Sequence, residues 1–224
     1  MQIAVAFRIA DTLLARDSLT AAIGVYRDTM PRMIGTTRGS AIEGRLTDAL
    51  LAVVPSDTML VSVEVRGDSS KRLARARYTV DPLPCADAWC VSDLLLFEGA
   101  SETAVADVAL ALARALTSEI FSVRRPLGVL WELQGVPGKE PMWMSLTVTP
   151  LRARLARRVA TRLRLAPGQA PVRLRWQATT DVRAPRSVTL RLPAKARGRH
   201  RVTLTLEVPG TSPISATREI ELVP

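Results

Sequence analysis

Leu127-Gly-Val-Leu-Trp-Glu-Leu-Gln134 alternates, with Val129, Trp131 and Leu133 on one side and Glu132 and Gln134 on the other. Gly135-Val-Pro-Gly-Lys-Glu-Pro141 then gathers turn-forming residues. Beyond it Met142, Met144, Leu146 and Val148 alternate with Trp143, Ser145, Thr147 and Thr149. Period-two alternation on both sides of a breaker cluster predicts an antiparallel hairpin with one buried face.

The same pattern recurs along the chain. Before it, strands are expected at Gln2–Ile9, Thr12–Ala15, Leu19–Tyr26, Arg32–Thr36, Arg45–Val53, Thr58–Arg66, Arg72–Val80 and Cys90–Phe97. The clearest pair is Thr58–Arg66 with Arg72–Val80: Val61, Val63 and Val65 share a face, and Gly67-Asp-Ser-Ser70 makes the turn. From Leu127 onward the expected strands are Gly128–Gln134, Met142–Thr149, Arg158–Leu165, Val172–Ala178, Ser187–Leu192, Arg199–Val208 and Ile214–Val223. Seven short alternating strands separated by turn signals argue for an immunoglobulin-like or fibronectin-like sandwich, with Trp176 in its core.

Between the two runs the pattern changes. Thr103–Leu116 is rich in Ala and Leu, and Val105, Val108, Leu112 and Leu116 fall at helical spacing, with Ser101 as an expected cap. The expected organisation is therefore all-β, with two tandem sandwiches. The first spans 1–98 and the second, seven-stranded, spans 126–224, joined by a linker at 99–125 that is a short helix or an irregular crossover. A repeat supports the tandem reading: Val63–Val80 aligns without gaps on Leu206–Val223, sharing Glu64/Glu207, Val65/Val208, Gly67/Gly210, Ser69/Ser212, Arg75/Arg218 and Val80/Val223. Two unrelated hairpins of similar composition are the competing explanation.

Val91-Ser-Asp-Leu-Leu-Leu96 closes the first half, and Pro126-Leu-Gly-Val-Leu-Trp-Glu-Leu-Gln-Gly-Val136 opens the second. That succession resembles the C-terminal β-sandwich region of bacterial GWxTD-domain-containing proteins. In them an aromatic-Glu strand ending in Gly follows a Ser-Asp-Leu strand. The resemblance could cover most of the chain, on short motifs. The Gly-Trp-x-Thr-Asp motif itself is absent, so the domain it names would lie upstream. The resemblance implies an exported, non-enzymatic protein.

Composition refines this picture. A hydrophobic content of 47% supports a packed core, while 4% aromatic means that Val, Leu and Ala fill most of it. Fifteen prolines and twelve glycines suit many short strands and turns. The net charge of +10 rests on 28 Arg and 3 Lys. Such a balance follows either from a GC-rich genome or from a polyanionic partner. Even a six-residue apolar run such as Val108–Ala113 is far short of the roughly 20 residues that span a bilayer. The first residues lack a basic leader and read as a strand. The chain is expected to be extracytoplasmic if it is a piece of a longer exported polypeptide, and cytoplasmic otherwise.

Little in the sequence points to catalysis. The only histidine, His200, is expected to be solvated at a turn, without an orienting partner. No Gly-x-Ser-x-Gly elbow, P-loop or dinucleotide fingerprint occurs. Asp87 and Asp93 read as turn and strand-end aspartates. No enzyme activity, cofactor, metal or small-molecule substrate is implied. Cys85 and Cys90 bracket Ala86-Asp-Ala-Trp89 and are compatible with a small disulfide loop or with two separate thiols. A zinc site lacks a second cysteine pair.

Arginines carry the remaining signal. Arg152 and Arg154 share a phase, as do Arg162 and Arg164, opposite Leu163 and Leu165, and Arg173 and Arg175, opposite Leu174 and Trp176. If the strands pair, Arg162, Arg164, Arg173 and Arg175 form a cationic face that could bind an anion. Glu207, Glu219 and Glu221 are the acidic residues that could neutralise it. Hence two functional expectations. The first is a non-catalytic structural or protein-interaction module of the cell envelope, with an unknown protein partner. The second is a polyanion-binding protein, for nucleic acid or acidic lipid, on the arginine face. No aromatic residues alternate with those arginines to stack bases.

Overall fold

The structure is a computed structural model that describes residues 2–5, 18–27, 30–42, 45–46, 50–53, 58–86, 89–100, 105, 107–135, 141–151, 170–179 and 186–224. The chain is all-β, built of several sheets in a sandwich-like arrangement. It divides into two compact units, Met1–Leu83 and Pro84–Pro224.

The first unit contains β1 (Gln2–Val5), β2 (Ser18–Arg27), β3 (Met30–Ile42), β4 (Arg45–Leu46), β5 (Leu50–Val53), β6 (Met59–Gly67) and β7 (Leu73–Val80). The strand order is β4-β3-β2-β6-β7 in the main sheet, and β1 pairs separately with β5. Alternation decides which face is buried. Leu19, Ala21, Ile23 and Val25 of β2 meet Met59, Val61, Val63 and Val65 of β6 on the core side, with Ile3 of β1 against them. The turn from β6 to β7 lies where the sequence placed it. The Lys71 amide donates to the Gly67 carbonyl at 3.1 Å, and Asp68 Oδ1 accepts from the Thr20 hydroxyl at 3.2 Å. The expected strand Thr12–Ala15 lies outside the described residues.

The second unit contains β8 (Cys85–Ala86), β9 (Trp89–Val91), β10 (Leu95–Glu98), α1 (Val108–Ala113), β11 (Ile120–Ser122), β12 (Leu127–Trp131), β13 (Leu133–Gln134), β14 (Pro141–Pro150), β15 (Val172–Thr179), β16 (Arg186–Leu190), β17 (Gly198–Glu207) and β18 (Ile214–Val223). A five-stranded sheet runs β11-β18-β17-β14-β15, and two three-stranded sheets run β10-β12-β16 and β13-β9-β8. One core joins them: Val129 and Trp131 from β12, Met142, Met144, Leu146 and Val148 from β14, and Val202, Leu204 and Leu206 from β17.

Three expectations need correction. Leu127–Gln134 and Met142–Thr149 both alternate as read, yet they do not pair with each other. β12 pairs with β10 and β16, β13 with β9, and β14 with β15 and β17. The two segments supply one core from different sheets. The reason lies in β12 itself, every residue of which is buried. Its far side is closed by Leu130 packing with Phe97 and Ala111, so it is an interior strand rather than one arm of a hairpin.

The second correction concerns the seam. Residues 84–98 belong with the second unit, because β9 and β10 pair with β13 and β12. The expected linker at 99–125 lies inside that unit. Its helix shrinks to Val108–Ala113, capped by Asp107 Oδ1 on the Ala109 amide at 2.8 Å, and Ala111 is buried beneath it. Ser101 lies outside the described residues. Among the described residues no helix is long and apolar enough to cross a membrane.

Third, the aligned repeat segments are not equivalent in their sheets. Glu64 sits opposite Arg75 and bonds it at 2.8 Å. Their counterparts go elsewhere: Arg218 lies opposite Val202, and Glu207 is the last residue of its strand. The glycines differ too. Gly210 needs its left-handed φ of +80°, whereas in the first hairpin Lys71 takes that role at φ 56°.

Candidate functional site

The outward face of β14, β15, β17 and β18 carries the arginine signal. Odd-numbered residues of β14, β15 and β17 point away from the core, which the register converts into rows. Ser145 lies between Arg175 and Thr205, and Thr147 between Arg173 and Thr203. Thr203 faces Thr217, and Thr205 shares a 3.0 Å hydrogen bond with Ser215. The result is a band of short hydroxyl side chains bordered by charge.

That charge is largely paired. Arg175 Nη2 donates to Glu207 Oε2 at 3.1 Å, and its guanidinium stands 4.7 Å over the ring of exposed Trp143. Glu219 receives Arg199 at 2.6 Å and Arg201 at 3.0 Å. Its hydrogen bond from Arg201, reinforced by the nearby charges of Arg199 and Arg201, holds its carboxyl below the usual carboxylate range. Arg173 is exposed and has no acidic partner among the described residues. Arg162 and Arg164, with the strand Arg158–Leu165 and Arg152 and Arg154, lie outside the described residues. Of the four expected anion-binding arginines, the structure therefore brings Arg173 and Arg175 to this face.

Two side chains of β15 on the phase opposite the arginines are less enclosed than alternation predicts. Leu174 is 43% exposed, because β15 is the last strand of its sheet among the described residues. Trp176 is half-buried and tilted against Trp131, ring centroids 6.1 Å apart. The enclosed indoles are Trp131 and Trp89.

His200 also departs from expectation. It is not solvated: it lies on β17 in phase with Val202, Leu204 and Leu206, and is 3% exposed. Its Nδ1–H donates to the Gly198 carbonyl at 2.8 Å. The alternation of Arg199–Val208 already carried this signal, since position 200 falls on the apolar phase.

Cys85 and Cys90 sit directly opposite each other where β8 meets β9, and form a disulfide with Cα atoms 4.0 Å apart. The adjacent Trp89 is buried in the core, so the bridge ties a short hairpin to it. Asp93, just beyond, accepts from the Leu94 amide at 2.8 Å and from Arg218 at 2.5 Å. Asp87 lies outside the described residues. A bridge closing so small a loop stabilises by about 2 kcal/mol through the denatured state. The Cys85→Ser/Cys90→Ser variant should therefore melt about 4–8 °C lower than the oxidised protein, read by tryptophan fluorescence. An unchanged melting temperature would show that the bridge contributes nothing to the fold.

No protein-family model matches the chain, and no curated protein matches it.

Proposed function

We propose that the chain is a non-catalytic structural or protein-interaction module of the cell envelope. The observation that carries this reading is the internal pairing of the arginine face: Glu207 and Glu219 take up Arg175, Arg199 and Arg201. A face whose arginines are largely engaged by its own carboxylates attracts a polyanion less. The buried, backbone-tied His200 supports the non-catalytic part, since its ring is withdrawn from any substrate. The Cys85–Cys90 bridge suits an oxidising compartment. The resemblance to GWxTD-domain-containing proteins points the same way. Two immunoglobulin- or fibronectin-like sandwiches in tandem would suit such a module, and the division into two units agrees with that arrangement.

Polyanion binding is the competing reading, favoured by exposed Arg173 and the net charge of +10. Heparin retention separates the two. The Arg173→Ser/Arg175→Ser variant should elute close to the wild type near neutral pH, and a large drop in retention would overturn the interaction-module reading. Acid provides an internal control. The folded-state pKa of Glu219 is depressed, so its ion pairs persist above the unfolded value and are lost as the pH falls through the folded one. Retention should rise over that interval as Arg199 and Arg201 are released. Glu219→Gln should show the raised retention at neutral pH already.

A further inference from the structure

The edge of the first unit offers a surface of definite chemistry. β7 is the last strand of its sheet among the described residues. Its residues are open to solvent on both sides: Leu73 is 59% exposed and Tyr78 56%.

The direction of its free backbone groups follows from one turn bond. The Gly67 amide donates to the Arg72 carbonyl at 3.0 Å, so Gly67 and Arg72 form a hydrogen-bonded pair. In an antiparallel ladder such pairs alternate with non-bonded ones. The register continues without a break, with Val65 opposite Ala74, Val63 opposite Ala76 and Val61 opposite Tyr78. Ala74, Ala76 and Tyr78 therefore turn their amides and carbonyls toward β6. Leu73, Arg75, Arg77 and Thr79 turn theirs outward, away from the sheet.

The side chains say what could pair there. Arg75 and Arg77 project on the face opposite the Val61–Val63–Val65 core, while Tyr78 lies on the core side, at its open margin. The β6–β7 hairpin, Met59–Val80, has five basic residues (Arg66, Lys71, Arg72, Arg75, Arg77) against Glu64 and Asp68. A second copy of this chain is a poor occupant. Antiparallel pairing of β7 with itself, centred anywhere from Arg75 to Arg77, sets arginine against arginine, and like charges directly opposite destabilise a sheet.

We propose that the β7 edge receives an extended acidic segment of another protein by strand addition. Acidic side chains at alternate positions would face Arg77 and Arg75, the latter shared with Glu64 across the strand. The apolar side chains between them would cover Tyr78 and Ala76 and extend the core. The outward amides and carbonyls of Leu73, Arg75, Arg77 and Thr79 supply affinity, and the charge pattern supplies selectivity. This proposal rests on the interaction-module reading and gives that module's partner a chemistry.

Labelled synthetic peptides test it on the full chain by fluorescence anisotropy. The probes are Thr-Glu-Val-Glu-Val-Glu-Thr, its lysine counterpart Thr-Lys-Val-Lys-Val-Lys-Thr, and an oligoglutamate of equal charge. The wild type should bind the Glu–Val peptide and take the other two about tenfold or more weakly. Thr79→Pro removes one outward amide and leaves every charge and every β6 bond in place. It should weaken the Glu–Val peptide by about tenfold, with the Ala74 and Ala76 amides still protected from exchange. Arg77→Glu should lose that peptide and gain the lysine one, which keeps the test decisive should the proline variant not fold. Equal binding by folded Thr79→Pro overturns strand addition. So does failure of Arg77→Glu to switch preference. No binding of any probe overturns the edge proposal alone and leaves the interaction-module reading standing. Oligoglutamate binding as tightly as the Glu–Val peptide overturns both, in favour of the polyanion reading.

Discussion

Phe97→Ala will destabilise the second unit by about 3–5 kcal/mol, and Gly128→Ala by about 1–3 kcal/mol. The two residues are direct cross-strand partners between β10 and β12. Phe97 is fully buried, and its ring lies against the glycine. A Cβ at position 128 would come within 2.3 Å of Phe97 Cε2 and Cζ, far inside contact distance. The glycine is there to leave room for the ring, and the ring fills the space the glycine leaves. The double variant should therefore cost less than the two single costs added together, by about 0.5–3 kcal/mol, because the methyl group at 128 occupies part of the void. Denaturation followed by tryptophan fluorescence reads this cleanly, since Trp89, Trp131, Trp143 and Trp176 are all the tryptophans of the chain and all lie in the second unit. Strictly additive costs would show that ring and glycine do not share one packing site.

Trp131→Ala is expected to cost as much, about 3–5 kcal/mol, while Trp131→Phe should cost less than about 1.5 kcal/mol. Trp131 is 1% exposed and lies opposite Arg186 on β16. Its indole Nε1–H is buried with no hydrogen-bond partner among the described residues. Phenylalanine gives up some volume but also removes that unpaired donor, so the two terms oppose each other. The neighbouring Arg186 donates to the Thr179 carbonyl at 2.5 Å, and burial draws its pKa down. The same denaturation experiment decides. A phenylalanine variant as unstable as the alanine variant would mean that the indole N–H makes a bond the protein needs.

Local chemistry was easier to read from the sequence than long-range pairing. The hairpin of β6 and β7 was legible because its strands alternate, are adjacent and enclose a polar turn. The buried phase of β14 was legible for the same reason of period. His200 falls on the buried phase of that period, but the turn-like residues before it, Lys195 to Arg199, obscure the signal. The pairing of β12 was not legible. A strand buried on both faces has no polar side to orient it, and its neighbours β10 and β16 lie far off along the chain. The seam was misplaced for a related cause. The strand run Cys90–Phe97 reads as the end of the first half, but Phe97 finds its packing at Gly128, Leu130 and Ala111. The repeat misled because hairpins share composition without sharing register. On the outer face the phase of Arg173 and Arg175 was correct, and Glu207 and Glu219 were legible candidates for compensation. That Leu174 would be exposed was not legible, since exposure depends on being last in the sheet.

The pairing of β11 with β18 is parallel, and its partners Ile120 and Glu221 lie about a hundred residues apart along the chain. A ribosome adding about 5–20 residues per second needs roughly 5–20 s to travel from one to the other. Through that interval Phe121 has emerged, while the strand that will cover it has not been made. The nascent chain must therefore hold an unfinished sheet edge open during synthesis, until β18 follows and closes it.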